Sequence, residues 1–131
     1  MRLLLDTHIW LWSLLEPVRL TKQVAAELEN PDNELWLSPI SLWEVLILVE
    51  KRRVVLDLDA AVWIRRVLAR VPFKEAPLNH EVALKSRSLS LAHQDPADRF
   101  LAATALVYDL TLVTADERLL HSKELHVLPN T

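Results

Sequence analysis

Residues 95–116 read DPADRFLAATALVYDLTLVTAD, an acidic turn, an Ala-rich apolar helix, a short apolar strand and a further aspartate. Asp95 is a good N-cap and Pro96 a good first helical residue, because the N–H that proline lacks has no partner there anyway. Asp98 then falls in the first turn, where the helix dipole favours an anion. Capping chemistry accounts for Asp95. It accounts less well for Asp98, because Leu101, Ala102 and Ala105 put that carboxylate on the apolar line of the helix. Leu110 to Thr114 reads as a short buried strand, and Asp116 follows its carboxyl end. Thr114-x-x-Glu117 matches a capping box for a short helix from Glu117 to Leu120, a reading that leaves Asp116 free.

The start of the chain repeats this pattern. Arg2 to Leu5 is a short apolar run that suits a buried parallel strand, and Asp6 stands at its carboxyl end. That edge of an open α/β sheet is where ligands bind, although Asp6 or Thr7 also suits the N-cap of a helix over His8 to Leu15. The two roles do not exclude each other. Thr21 caps a second helix through Glu29, Glu34 to Leu37 reads as a strand, and Ser38 and Pro39 open a third helix. Within that helix Glu44 shares a stripe with Ile40, Ile47 and Leu48, while Trp43, Val45, Leu46 and Val49 cover the other sides. A carboxylate so surrounded must be neutralised, paired or bound to a cation. Ser41-x-x-Glu44 also matches a capping box, but one turn too late for a helix that opens at Ser38.

Further on, Asp57 or Asp59 caps a fourth helix to about Arg70, with Val62, Trp63, Val67 and Leu68 facing inward. Phe73 to Ala76 is extended between prolines, Asn79 starts a fifth helix through about Ser88, and Leu125 to Leu128 is a final strand. Strand and helix alternate, so the expected fold is one α/β domain over residues 1–131, with a mostly parallel sheet of four to five strands and helices on both faces.

Composition narrows the chemistry. The chain has no glycine, which removes the P-loop, the dinucleotide fingerprint and the nucleophile elbow together. It has no cysteine, hence no thiol nucleophile, disulfide or Cys-based zinc site, which fits a reducing cytoplasm. The apolar run after Arg2 is too short for a signal peptide, and no run approaches a membrane span. Net charge is −3, so a polyanionic ligand needs a local basic patch, for which Lys51, Arg52 and Arg53, or Arg65, Arg66 and Arg70, are candidates. Each group also reads as an ordinary solvated helix end or face. Asp6 and Asp116 are expected on one sheet edge, with Glu44 and Asp98 approaching it from helices. Four carboxylates in one cleft repel unless they share a cation, and an oxygen-only donor set selects Mg2+ or Mn2+. Two such ions, on the order of 4 Å apart, activate water and stabilise a leaving oxygen in phosphodiester hydrolysis. The residues alone therefore point to a metal-dependent nuclease or phosphatase, with a non-catalytic RNA- or protein-binding scaffold as the alternative.

LLDTHIWLW at residues 4–12, SPISLWEV at 38–45, DPADRFLAATA at 95–105 and LVTAD at 112–116 together resemble the PIN-domain family. Within it the chain is most similar to the VapC-type toxins of bacterial toxin–antitoxin pairs. The match covers nearly the whole chain, in order. The resemblance implies an α/β/α sandwich and a Mg2+- or Mn2+-dependent endoribonuclease that cuts RNA and inhibits translation. It implies an acidic quartet at Asp6, Glu44, Asp98 and Asp116 as metal ligands and catalytic residues, with Thr7, Thr114, Asp95 and Arg99 in support. It also implies a cytoplasmic homodimer, inhibited by a small cognate antitoxin that covers the active-site cleft. The family often has glycine in the turn before the last conserved strand, where this chain has Tyr108 and Asp109.

Overall fold

A computed structural model describes residues 1–131. Five strands, β1 (Arg2–Leu5), β2 (Glu34–Leu37), β3 (Lys74–Glu75), β4 (Thr111–Thr114) and β5 (Val127–Pro129), form a single sheet. Their order is β3-β2-β1-β4-β5, and every pairing is parallel rather than mostly so. Seven α-helices connect them: α1 (Thr7–Leu15), α2 (Lys22–Glu29), α3 (Pro39–Glu50), α4 (Ala60–Arg70), α5 (His80–Ser88), α6 (Pro96–Val107) and α7 (Glu117–Leu120). A 3-10 turn at Pro17–Arg19 follows α1. The first half of the chain builds outward from β1 in one direction and the second half in the other. The gap between β1 and β4 is thus the switch point at which a parallel sheet opens a crevice.

The sheet is covered on both faces. Leu3 and Leu5 of β1 pack with Ile9, Trp10 and Val45 in one layer, while Leu4 packs with Leu101, Ala102 and Leu112 in the other. Alternating side chains of a strand point to opposite faces, so a strand that is apolar throughout requires two cores and yields a three-layer α/β/α sandwich. In α6 small side chains permit close approach, and Ala102, Ala103 and Ala105 are all buried.

One inward-facing expectation fails, and α3 is more solvated than its apolar sequence suggests. Val62 is exposed and Ile64 takes its place in the core, because α4 turns Trp63, Ile64 and Val67 inward, into the layer that holds Trp10 and Val45. In α3 only Ser41 and Val45 are buried, and Trp43 is 50% exposed. The last strand starts later than expected, at Val127.

The lack of glycine shows at two helix ends. Arg52 (φ 58°) and Asp109 (φ 55°) are both left-handed. Each sits just past a helix in a paired arrangement, Arg53 N–H to Leu48 and Arg52 N–H to Val49 after α3, and Leu110 N–H to Ala105 and Asp109 N–H to Leu106 after α6. These are Schellman motifs, whose left-handed residue is ordinarily glycine. The Tyr108-Asp109 turn therefore has the shape glycine would give it, with a side chain in the way. Replacing Asp109 by Gly is expected to stabilise the protein by about 0.5 kcal/mol, the relief of a left-handed Cβ less the added freedom of the unfolded chain. Asp109→Val is expected to cost more than about 1 kcal/mol, because a β-branched residue tolerates that region worst. Urea unfolding midpoints of the two variants check this.

Candidate active site

Asp6 leaves β1 still hydrogen-bonded to the sheet, its N–H donating to Val113 at 2.9 Å. Its carboxylate is held at both oxygens: Thr7 N–H donates to Oδ1 at 2.7 Å and the Thr114 hydroxyl to Oδ2 at 2.7 Å. The Thr114 hydroxyl also accepts from Asp116 N–H at 3.0 Å. One β4 side chain thus ties together the acids that follow the two central strands. Asp116 caps α7, accepting from Arg118 N–H at 2.9 Å. The expected Thr114 to Glu117 capping box does not form, because α7 starts after Asp116, which is its N-cap, and the Thr114 oxygen accepts from Asp116 N–H instead.

Glu44 comes from α3, whose N-cap is Ser38, so the alternative box at Ser41 is indeed a turn too late. The Thr7 hydroxyl lies between Ser41 Oγ at 2.9 Å and Glu44 Oε1. It carries one proton, so donation to Glu44 leaves the Ser41 proton to point at Thr7. Asp98 rises from the first turn of α6, which Asp95 caps by accepting from Ala97 N–H at 3.0 Å. The Oδ2 atom of Asp98 meets His93 Nε2 at 3.1 Å and accepts from Arg118 Nη2 at 3.2 Å. Arg99, next along, is buried and points away. It donates to the carbonyls of Ser86, Leu89, Leu91 and His93, clamping the loop that carries His93.

Asp6, Glu44, Asp98 and Asp116 line one pocket of about 380 Å3, together with His8, Trp12, Asp95, Ala115 and Arg118. Thr7 and Thr114 act from behind it and Arg99 from the loop beside it. Sequence reasoning had no role for His8, His93 or Arg118. The Asp116-x-Arg118 spacing at a helix start was the one available signal. Contact with Asp98, 20 residues away, depends on how α6 and α7 pack.

The electrostatics divide the acids. Burial pushes the Asp6 carboxyl up, against the pull of its hydrogen bonds. Burial pushes Glu44 up to about 7, and Asp6 and Asp98 add repulsion. Asp98 rises to about 6 through burial and the charges of Asp95, Asp6 and Asp116. Asp116 goes down, because Arg118 chelates it through Nε at 3.2 Å and Nη2 at 3.0 Å. Arg118 Nη2 spares only one contact for Asp98, which explains why an ion pair coexists with an elevated carboxyl there.

Comparison with known proteins places this geometry among relatives. Residues 3–125 match the model of the PIN domain family. The chain is 33% identical over 117 residues to Ribonuclease VapC22 of Mycobacterium tuberculosis, covering 88% of each chain. Its fold superposes on a chain of VapBC2 from Rickettsia felis bound to a promoter DNA fragment, with a TM-score of 0.73, 17% identity and 98% of each chain covered. It also superposes on FitAcB from Neisseria gonorrhoeae, with a TM-score of 0.66, 24% identity, and 98% of this chain and 97% of that one covered.

Between its ordinary value of 4.5 and its folded value of about 7, Glu44 keeps its proton in the folded state and loses it on unfolding. Stability from this group is therefore present at low pH and lost as pH rises through about 7. Asp98 and Asp6 act in the same direction, and Asp116 acts only at more acid pH. In EDTA the protein is expected to melt several degrees higher at about pH 5.5 than at about pH 8, and Glu44→Gln to flatten that slope. Thermal melts across this range check it; a melting temperature that rises with pH contradicts it.

Proposed function

The chain belongs to the PIN-domain family, and we propose that it is a Mg2+- or Mn2+-dependent endoribonuclease, the toxin of a toxin–antitoxin pair. The observation that carries this reading is the convergence of Asp6, Glu44, Asp98 and Asp116 on one pocket. Its ribonuclease relative supports the reaction class.

The donor set fits a hard divalent ion. All four groups supply oxygen, and the burial and crowding that raise Asp6, Glu44 and Asp98 are relieved by a cation. As the side chains stand, no three of them close on one ion. Arg118 draws Asp98 and Asp116 to its guanidinium, and Thr7 holds Glu44. Asp6, Asp98 and Glu44 would hold a principal ion, with Asp116 completing the site or serving a second. Bound there, such ions supply an activated water and a stabilised leaving oxygen.

The chain's own residues do the positioning. Thr7 and Thr114 fix both oxygens of Asp6, so it keeps its orientation without a ligand. His93 steadies Asp98, and Arg99 anchors the loop behind His93. Arg118 is more than half exposed and serves as the internal counter-ion of the acids. With a cation bound to the acids, its guanidinium would be available to meet a phosphate at the pocket mouth.

A small antitoxin covering the pocket, and assembly as a homodimer, belong to the same reading. The structural relatives include toxin–antitoxin complexes. Translation is the process inhibited if the RNA cut is one that translation requires.

Asp6→Asn and Asp98→Asn are each expected to slow RNA cleavage in Mn2+ by about a hundredfold or more, and EDTA to abolish it. Parallel incubations with single-stranded DNA and a small phosphomonoester are expected to show no turnover. Cleavage at the wild-type rate by both variants, unaffected by EDTA, overturns the mechanism. Turnover of DNA or phosphomonoester in place of RNA overturns the substrate.

A further inference from the structure

A second groove of about 590 Å3 adjoins the acidic pocket, and His8 and Trp12 line both. Leu15, Glu16, Arg19, Arg53 and Val55 are among the residues that line only the second groove. His8 and Trp12 are four residues apart on α1, so they share a face, and their rings lie 5.9 Å apart. The Arg19 guanidinium, carried by the 3-10 turn, lies 4.4 Å from the centre of the Trp12 ring. An imidazole, an indole and a guanidinium therefore follow one another outward from the carboxylates. Arg53 also lines the groove, carried there by the Schellman turn after α3, in which Arg52 is left-handed.

Charge decides what such a groove can take. A nucleic acid strand entering the acidic pocket is repelled by its five carboxylates, and the net charge of −3 offers no general attraction. Affinity must come from cations beside the pocket. Of the two basic clusters in the sequence, the one at Lys51–Arg53 reaches the groove through Arg53, whereas Arg65, Arg66 and Arg70 line neither cavity. Arg19 has one acidic partner, Glu16 at 3.7 Å, in an exposed pair of little strength. Arg53 has none within ion-pair distance. Unpaired bases are recognised by stacking on aromatic rings and guanidinium planes, and an apolar protein helix has no use for two such cations.

On the ribonuclease reading above, we propose that this groove seats the single-stranded RNA on one side of the bond to be cut. Trp12 and Arg19 stack an unpaired base, and Arg53 meets a backbone phosphate.

The test uses a fluorescein-labelled single-stranded RNA of roughly ten nucleotides and the full chain carrying Asp98→Asn, so that the RNA is bound and not cut. In this parent Trp12→Ala is expected to weaken binding roughly tenfold, and Trp12→Phe, which keeps a stacking ring and the packing, to restore most of it. Arg53→Gln is expected to lower the slope of log affinity against log salt by about one. Binding and salt slopes equal to the parent's in Trp12→Ala and Arg53→Gln overturn the proposal and leave the groove to a protein helix. They do not touch metal-dependent cleavage by Asp6 and Asp98. Loss of binding in Trp12→Phe as severe as in Trp12→Ala also overturns it, because packing rather than stacking is then at work. A chain that fails to cut RNA yet binds it with this dependence sinks the hydrolase reading alone; a parent that binds no RNA sinks both.

Discussion

Like charge crowded into a half-buried pocket is the constraint under which the rest of this structure operates. Asp6 and Asp98 are each only 8% exposed, and with Glu44 they stand well above the usual carboxylate range. An arrangement of this kind works against folding at neutral pH, so other contacts must impose it. They do so through the backbone. β1 and β4 lie side by side in parallel, which delivers Asp6 and Asp116 to the same edge, and Thr114 joins them through one hydroxyl. Two cores, one on each face of β1, make slippage of that strand costly, because moving it by one residue exchanges the side chains of both layers.

Local counter-charge does the remaining work. Arg118 chelates Asp116 and touches Asp98, and His93 takes the other approach to Asp98. Neither neutralises Glu44, whose only hydrogen bond comes from the Thr7 hydroxyl. The pocket thus holds an excess of negative charge beside a groove whose guanidinia are almost unpaired. An acidic centre flanked by basic stacking groups is the distribution a metal-assisted reaction on a polyanion calls for, with the cation and the strand drawn to adjacent places.

The parts legible in the sequence were those fixed by short-range rules. The run from Arg2 to Leu5 is apolar on both faces of a strand, and Asp95-Pro96 starts a helix wherever it occurs, so β1 and α6 fall where they were expected. The four acids stood out because their neighbours were apolar, and all four reach the pocket. What escaped depends on contacts between distant segments. Thr114 was equally suited to cap α7 or to bind elsewhere; in the fold Asp116 is the cap, and the Thr114 hydroxyl donates to Asp6, 108 residues away. The roles of Arg118 and His93 exist only once α6, α7 and the 89–93 loop are packed. Trp43 and Val62 are apolar residues on helices that must turn some apolar face outward, and helical spacing does not say which.

Crystals soaked in MnCl2 and measured at the manganese absorption edge give the most direct view of the central claim, that these carboxylates hold divalent metal. Anomalous difference density is expected in the pocket between Asp6 and Asp98, with Glu44 turned toward it and Arg118 released from Asp98. An empty pocket at a manganese concentration that supports RNA cleavage, with Arg118 still bridging Asp98 and Asp116, contradicts it.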